Sequence, residues 1–498
     1  MTSPAPPRPA PASLDLLDVR LRLVCDAHLR AAKVPGASIA VVAQDKAYHY
    51  AYGVISHAQP HPVTAHTSFN IGSCSKAFVS ATLASLVAEG LANWDDPLSR
   101  WVPEFQLYDP AITAMVTLRD VCGNRLGLPR AGLTEYGFRP EIPVERILRG
   151  LQHTQPMAPL RQRFTYVNAG HTAAAIAAGR ITGKGFLQAL RERLLAPLGM
   201  TGTSGGIAAK TELPEQAGWH VPDGEQVVEL PRVYTDNCLG SGGMVVSGVD
   251  ALQWLRLHLG GGTVDGREIV ARAALLETHQ PQAVASPGKD LLSLFNPHAH
   301  LGAYALGWAV SDLEGEPMVC HSGSDQGVCA LTLLLPRRGI GIAVYLNMLA
   351  PGVTPLAYAL AATLLGARPR DWTAVFADAA KAIAPPPLRE AAPGVQPQHP
   401  LQAYAGVYEH PADGALRIEH DGQGLSGNLV DGDAMTFRLA PLGDNEFAIQ
   451  FAQLPSRIAL LGLRMVFDFD AGSGSAHTAV MHLHTQATRV FKTQRAGA

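Results

Sequence analysis

The stretch SCSKAFVSATLASLVAEG, residues 73–90, has a small or apolar side chain at nearly every position. Its two charged residues are Lys76, near the start, and Glu89, next to the final glycine. A segment that is apolar on all sides is typical of a buried helix, and Gly90 is suited to end one. We therefore predict a buried helix over 73–90 at the centre of the first domain.

Ser73 and Lys76 are three positions apart, so on a helix their side chains share one face, about 5–6 Å apart. A serine hydroxyl is a weak nucleophile near neutral pH, and a buried lysine amine can accept its proton. The helix start would direct backbone N–H groups at an incoming carbonyl group, and Gly72 permits close backbone approach. Ser75 lies one position before the lysine and Cys74 turns away from Ser73, so we interpret Ser73 as the nucleophile and Cys74 as a packing residue.

A second motif, Tyr166-Val167-Asn168, lies in RFTYVNAGH directly before a helical run. On an extended segment the side chains of Tyr166 and Asn168 project to the same side. A phenol can transfer a proton and a carboxamide can donate and accept hydrogen bonds, so the pair suits a substrate. Taken alone, the motif also fits a packed tyrosine beside a helix-capping asparagine, which is the commoner arrangement.

A third motif, His321-Ser322-Gly323-Ser324, comes directly before an apolar run that begins at 328. On a strand-like segment His321 and Gly323 face one side, where the imidazole can donate to a substrate and the glycine leaves room for it. Taken alone, a turn histidine in a Gly/Ser loop explains the same residues.

The order of apolar runs predicts an α+β first domain with an antiparallel sheet. A helix over 14–33 leads into a β-hairpin over 36–54, and two further apolar runs, 328–335 and 340–347, form a second hairpin around Pro336-Arg337-Arg338-Gly339. We expect both hairpins to join one sheet flanked by helices. Between them the chain is mostly helical and irregular, with amphipathic runs at 144–152, 171–182 and 185–196.

Three further segments complete the predicted organisation. Residues 1–13 are rich in Pro and Ala and predict a disordered N-terminal segment, so the catalytic domain is predicted over 14–382, with a last helix at roughly 354–382. The Pro-rich stretch 383–400 predicts a linker. Over 401–498, short alternating runs between Gly/Asp turns predict a small antiparallel β-barrel or sandwich.

The composition of the 498-residue chain indicates a folded, globular protein. A net charge of −3, spread along the chain, argues against nucleic acid as a partner. The six cysteines form no CxxC pair, and His298/His300 and His482/His484 lack a third ligand, so we expect no metal and no cofactor. The start lacks the apolar region of a secretory signal and no run is long enough to span a membrane, which predicts a cytoplasmic protein; the oligomeric state is left open.

Together and in this order, Ser73-x-x-Lys76, Tyr166-x-Asn168 and His321-x-Gly323 resemble the three active-site motifs of the serine β-lactamase and penicillin-binding-protein superfamily, in its class C β-lactamase-like branch. The segment LQAYAGVYEHP at 401–411 resembles the opening of the lipocalin-like C-terminal domain of some of these enzymes. The first resemblance covers roughly 35–350 and extends through IGSCSKAF (71–78), GLANWDDPLSRWVPEF (90–105), TLRDVCGNRLGLPR (117–130) and GSGGMVVSGVDALQW (240–254).

The resemblance implies a β-lactamase/transpeptidase-like fold, an acyl-enzyme on Ser73 and a small-molecule or short-peptide substrate. Lys76 and Tyr166 would exchange the serine proton with the leaving group, and Asn168 would hold the substrate amide. Backbone N–H groups of Ser73 and Ser324 would form the oxyanion hole, which contributes about 3–4 kcal/mol per donor.

His321 stands where β-lactamases and transpeptidases carry a lysine. A histidine is only partly charged near pH 7 and binds an anion less reliably than a permanent cation. The predicted activity is therefore that of a peptidase or amidase on small peptides, which can contain D-residues or be cyclic or linearised, rather than β-lactam resistance. A carboxylesterase, a penicillin-binding-protein-type thioesterase or peptide cyclase, and a catalytically silent binding or sensor protein remain as alternatives.

Overall fold

The computed structural model describes residues 16–44, 46–129, 142–285, 299–350, 352–383, 394–429, 436–451, 463–470, 472–482 and 488–493. The segment 1–13, for which the sequence predicts disorder, lies outside these residues. Residues 384–393 of the predicted linker also lie outside them.

The strands, in chain order, are β1 (Gly36–Ala43), β2 (Lys46–Gly53), β3 (Ser68–Asn70), β4 (Ser204–Gly205), β5 (Trp219–Asp223), β6 (Gln226–Leu230), β7 (Met244–Ser247), β8 (Thr263–Val264), β9 (Arg267–Glu268), β10 (Ala283–Val284), β11 (Ala303–Tyr304), β12 (Ala309–Leu313), β13 (Glu316–Asp325), β14 (Val328–Leu335), β15 (Ile340–Leu346), β16 (Gly406–His410), β17 (Gly414–His420), β18 (Leu425–Leu429), β19 (Thr436–Gly443), β20 (Glu446–Phe451), β21 (Arg464–Phe469), β22 (Ala476–His482) and β23 (Thr488–Thr493).

The α-helices are α1 (Leu16–Ala31), α2 (Ser75–Ala88), α3 (Pro110–Met115), α4 (Leu118–Cys122), α5 (Val144–Gly150), α6 (Asn168–Thr182), α7 (Phe186–Leu190), α8 (Ala196–Leu198), α9 (Ala209–Glu212), α10 (Leu239–Gly242), α11 (Gly248–Leu259), α12 (Arg272–Glu277), α13 (Val353–Leu365) and α14 (Trp372–Ile383). A π-helical turn, Arg191–Leu195, joins α7 to α8.

An eight-stranded antiparallel sheet organises the first unit, in the order β10-β11-β12-β13-β14-β15-β1-β2. Both predicted hairpins are confirmed, because β1 pairs with β2 and β14 pairs with β15. β1 also pairs with β15, which joins the first and last strands of the unit side by side. The α+β architecture predicted from the sequence is therefore confirmed.

Helices cover both faces of this sheet. On one face α13 packs against β14 and β15 and is covered by α1 and α14, which encloses one apolar core. On the other face α11 packs against β1 and β15, and a second core continues into the helical subdomain around α2, α6 and α10. The strands β1, β14 and β15 are buried along almost their whole length, as expected for a sheet covered on both sides.

The buried central helix is confirmed, although it begins two residues later than predicted. α2 is Ser75–Ala88, and a 3₁₀ turn, Gly72–Cys74, precedes it. At its end Gly90 has a φ of 71°, and N–H groups of Gly90 and Leu91 donate to the carbonyls of Val87 and Leu86. This is a Schellman cap, which requires the left-handed conformation that glycine adopts without strain.

The single helix predicted at roughly 354–382 is wrong. The chain forms α13 and α14 instead, with a break after Leu365. Gly366 adopts a φ of 67° and ends α13, and Pro369 lacks the N–H group needed to continue a helix.

The C-terminal unit is a closed antiparallel barrel of eight strands, β16 to β23, as predicted. β16 pairs with β23, which closes the barrel. Aromatic side chains fill its interior, including Tyr404, Tyr408 and Phe467. The barrel thus encloses a hydrophobic core separate from those of the first unit.

Candidate active site

The nucleophile candidate Ser73 lies in the 3₁₀ turn that leads into α2, and Lys76 lies in the first turn of that helix. Lys76 is fully buried, with 0 % exposure, and its Nζ lies 2.9 Å from Ser73 Oγ. The structure therefore brings together the hydroxyl and the amine that the sequence pattern pairs.

The amine of Lys76 is held from three directions. Besides Ser73, its Nζ lies 2.9 Å from Asn168 Oδ1 and 2.6 Å from the carbonyl oxygen of Ser241. It also lies 4.7 Å from the centre of the Tyr166 ring. These contacts come from α6, from α10 and from the turn before α2. Segments that are distant in the sequence therefore fix the position of one amine.

The Tyr166 hydroxyl lies 2.7 Å from Ser73 Oγ, so the nucleophile oxygen is in hydrogen-bond contact with both candidate proton-transfer groups. Val167 between the two motif residues is extended, with φ −132° and ψ 109°, and α6 begins at Asn168. Tyr166 and Asn168 consequently reach the same site. The Asn168 side-chain oxygen accepts from Lys76, however, whereas the sequence predicts that this carboxamide holds the substrate.

The motif around Tyr166 is held in place by Asn124, which sequence reasoning missed. The main-chain carbonyl of Asn124 accepts from the N–H of Thr165, and its side-chain Oδ1 accepts from the N–H of Val167 at 3.0 Å. Asn124 is buried and has a φ of 50°. Asparagine tolerates a positive φ better than most residues. An asparagine in this segment was therefore the sequence feature that could have indicated a special backbone position.

A buried carboxylate next to this segment holds two arginines. Asp120, with 0 % side-chain exposure, lies 2.6 Å from Arg125 Nε and 2.8 Å from Arg161 Nη2. Burial alone would raise the pKa of Asp120. Hydrogen bonds from Arg161 and the Thr117 N–H, and the charge of Arg125, outweigh burial and hold the pKa below its usual range.

The strand β13 presses against the turn that carries the nucleophile. A Cβ atom built on Gly323 would lie 1.9 Å from the carbonyl oxygen of Ile71 and 2.9 Å from the N atom of Ser73. A Cβ atom on Gly72, which has a φ of 49°, would lie 2.5 Å from the N atom of Ser324. Gly323 thus makes room for protein backbone, and not for substrate as the sequence predicts.

His321 lies behind this contact and is 1 % exposed. Its Nδ1 lies 2.5 Å from the carbonyl oxygen of Ser322, which can only accept, so Nδ1 carries a proton. Burial, followed by the charge of Lys76, lowers the pKa of His321 to about 3, so the ring is neutral near pH 7. The expectation of a partly charged imidazole that donates to substrate does not fit this burial and this charge state.

Tyr304 on β11 completes the environment of His321 and was not predicted. Because the neutral ring has its proton on Nδ1, Nε2 is an acceptor, and it lies 3.0 Å from the Tyr304 hydroxyl. Tyr304 is fully buried. The ring of His321 is thereby fixed in one orientation and one tautomer, 6.2 Å from the ring of Tyr166 between centres.

Ser324 is exposed at the end of β13, beside the nucleophile turn. The pairing of β12 with β13 ends where Ala309 faces Cys320, whereas β14 pairs with β13 as far as Asp325. Among the described strands, none pairs with residues 321–325 on the β12 side. The exposed end of β13 at Ser324 is therefore a strand edge without a partner among the described strands, beside the turn of Ser73.

The remaining features do not indicate a metal centre or a membrane segment. Within the described part of the chain, no three His, Cys, Asp or Glu side chains form a group that could hold a metal ion. No described helix combines the length and the apolar composition needed to cross a bilayer. The cytoplasmic location stays a prediction.

The comparison with protein families agrees with this geometry. A family model described as Beta-lactamase matches residues 22–365, most of the chain. The chain belongs to the beta-lactamase family. A second model, described as a domain of unknown function (DUF3471), matches residues 390–496, the region of the barrel. As a member of the beta-lactamase family the protein is a serine hydrolase in class.

Relatives are similar to this chain in sequence, and solved structures are similar to it in fold. An unguisins hydrolase from Aspergillus violaceofuscus is 26 % identical over 487 residues, covering 86 % of this chain and 85 % of its own. The octameric penicillin-binding protein homologue from Pyrococcus abyssi has a TM-score of 0.63 at 19 % identity, covering 95 % of this chain and 99 % of its own. SurE has a TM-score of 0.58 at 19 % identity, covering 96 % and 99 %. The two structures share the fold of this beta-lactamase family member along its length.

Proposed function

We propose that the protein cleaves an amide bond in a small peptide through an acyl-enzyme on Ser73. The observation that carries this proposal is the position of Ser73 Oγ, which lies 2.9 Å from Lys76 Nζ and 2.7 Å from the Tyr166 hydroxyl. A serine oxygen with two proton-transfer groups in contact is the arrangement that nucleophilic catalysis requires.

The contacts of Lys76 suit it to accept the serine proton. The oxygens of Asn168 and Ser241 can only accept hydrogen bonds at these atoms. When the amine is neutral, its two N–H bonds are directed at those oxygens and its lone pair is directed at Ser73 Oγ. Asn168 is then a positioning residue for the base.

The Tyr166 hydroxyl is the group suited to return a proton to the leaving group. Ser73 attacks the carbonyl carbon as Lys76 takes its proton, and the proton passes to the leaving nitrogen through Tyr166 as the C–N bond breaks. Water then attacks the acyl-enzyme, gives a proton back to the same pair, and releases the acid with Ser73 restored.

The oxyanion of the tetrahedral intermediate requires N–H donors beside Ser73. We assign these to the backbone of Ser73 and Ser324, which approach each other across the Gly72–Gly323 contact. Each such donor contributes about 3–4 kcal/mol to catalysis in serine hydrolases.

One observation favours a peptide over other acyl compounds. The strand edge of β13 at Ser324, which has no partner among the described strands, can pair with an extended peptide backbone beside Ser73. A relative that aligns with 86 % of this chain is named an unguisins hydrolase, which supports a hydrolytic reaction. The neutral, buried His321 offers no cation to a substrate carboxylate, which disfavours β-lactams.

Intact-protein mass spectrometry tests the acyl-enzyme. The protein is incubated with p-nitrophenyl esters, nitrocefin, and D- and L-aminoacyl anilides, and the adduct mass is recorded. We expect an adduct with the wild type and none with Ser73→Ala.

Ser75→Ala is the matched control, because the Ser75 hydroxyl donates to the Gly72 carbonyl and accepts from the Met244 N–H. We expect that variant to retain the adduct. An adduct on Ser73→Ala would disprove the assignment. Absence of both adduct and turnover across the panel would favour a binding or sensor protein.

A further inference from the structure

A cavity lies beside the nucleophile turn, on the far side of Asn70. It is small, with a volume of about 30 Å³, and it opens to solvent. Asn70 joins it to the catalytic residues, because the side-chain oxygen of Asn70 accepts from the N–H of Gly72 at 2.8 Å. Gly243, next to the segment that holds Lys76, also lines the cavity. The cavity therefore adjoins residues that hold the nucleophile turn and the Lys76 amine.

Asp325, the last residue of β13, lines this cavity. Side chains alternate along a strand, so Asp325 projects to the same side as Gly323, which faces the Ile71 and Ser73 backbone. Asp325 is two positions after Gly323, which corresponds to about 6–7 Å along an extended chain. An aminoacyl group or a short basic side chain spans such a distance.

The carboxylate of Asp325 has no cationic partner among the described residues. Its Oδ1 accepts from the N–H of Gln326 at 2.8 Å. Arg232 lines the same cavity, but its guanidinium donates to the main-chain oxygen of Gln216 at 3.0 Å. The other titratable groups that line the cavity are the Tyr234 hydroxyl and the Cys238 thiol, whose pKa burial raises to about 12. Asp325 is thus the one acidic group among the lining residues.

We infer that Asp325 is the partner for an ammonium group of the substrate, either a free α-amine or the amine of a basic side chain. This inference rests on the proposed acyl-enzyme function. The Asp325 carboxylate is partly buried and lacks a cation, so a bound ammonium group would supply the missing partner. Its position two residues after Gly323, outside the contacts of Ser73, makes it a determinant of specificity and not of the chemical step.

The protonation of Asp325 gives this inference a distinct pH signature. Burial raises the pKa of its carboxyl group to about 6. As the pH falls through this value the carboxylate is neutralised, so the preference for an ammonium substrate is lost on the acid side. A change in the protonation of the catalytic residues alters kcat/KM for charged and uncharged substrates alike. The ratio of kcat/KM for the charged substrate to that for the uncharged one therefore reports the protonation of Asp325 alone.

The test compares three anilide substrates in both stereoisomers: alanyl p-nitroanilide, N-acetylalanyl p-nitroanilide and N-acetyllysyl p-nitroanilide. We expect the wild type to prefer one of the two ammonium substrates over N-acetylalanyl p-nitroanilide at pH 7, where the α-amine is still protonated and Asp325 is ionised, and to lose the preference below about pH 6. Preference for the first identifies an α-amine, and preference for the third identifies a side-chain amine. Asp325→Asn should reduce kcat/KM for the preferred substrate by about ten- to a hundredfold and leave N-acetylalanyl turnover unchanged.

Asp378→Asn is the control for net charge, because Asp378 is an exposed residue on α14 that pairs with Lys381. Retained N-acetylalanyl turnover shows that Asp325→Asn is folded. A wild type that turns over the anilides without preferring an ammonium substrate overturns this inference alone, as does an unchanged preference in Asp325→Asn. A wild type with neither turnover nor adduct for any substrate overturns the proposed function itself.

Discussion

The substitution Gly323→Ala tests how the nucleophile turn is held. The added Cβ atom would lie 1.9 Å from the carbonyl oxygen of Ile71, so strand and turn must separate by about 1 Å before the two atoms reach the shortest contact that proteins show. A displacement of that size at reacting groups reduces catalysis by about a hundredfold. Overpacking of this kind also lowers the free energy of unfolding by about 1–3 kcal/mol.

The assay measures kcat/KM with whichever chromogenic ester or anilide the wild type hydrolyses, together with urea unfolding followed by circular dichroism. Gly242→Ala is the matched control, since its Cβ atom would lie 3.8 Å from the main-chain carbon of Gly72, an ordinary contact. We expect near-normal kinetics for the control. A kcat/KM for Gly323→Ala within twofold of the wild type would refute the argument from backbone contact.

Three further variants probe the surroundings of the nucleophile. Tyr166→Phe removes the hydroxyl that contacts Ser73 and should lower kcat by about 10²–10⁴, with the far-UV spectrum unchanged. Tyr304→Phe leaves Nε2 of the buried His321 without its donor and should lower the free energy of unfolding in urea by about 1–3 kcal/mol, whereas the exposed Tyr108→Phe should change it little. Asp120→Asn should destabilise the protein at pH 7. Because the folded pKa of Asp120 is depressed, its contribution is present above the unfolded value of about 3.9 and is lost as the pH falls further, so wild-type and variant urea midpoints should converge below about pH 4.

The sequence predicts the parts of the fold that depend on local pattern. The two hairpins and the central helix follow from apolar runs and turn residues, and Gly90 ends α2 as its position suggests. The break at Gly366 was available from the same reasoning, because a glycine with a proline three residues later, Pro369, is typical of a helix end. Because the apolar pattern continues on both sides of Gly366, the sequence predicts one helix where the chain forms two.

The candidate site was only partly predictable. Spacing alone places Lys76 near Ser73, but the partners of each group come from distant segments. Gly323 accommodates the Ile71 backbone because of the way β13 packs beside the turn before α2. Asn168 accepts from Lys76 because of the way α6 packs against α2. Tyr304 carried no signal, since a tyrosine in a short strand is ordinary, and only the folded chain shows its hydroxyl against the His321 ring.

Lys76 has a consequence for how this protein fails on heating. Its amine is held by Asn168 at the start of α6 and by Ser241 in α10, so detachment of any one of three helices dismantles the base. Local openings of single segments occur at lower free energy than global unfolding. Thermal inactivation should therefore begin below the temperature at which helical structure melts. Residual activity would then report loss of the native state at a lower temperature than far-UV circular dichroism does.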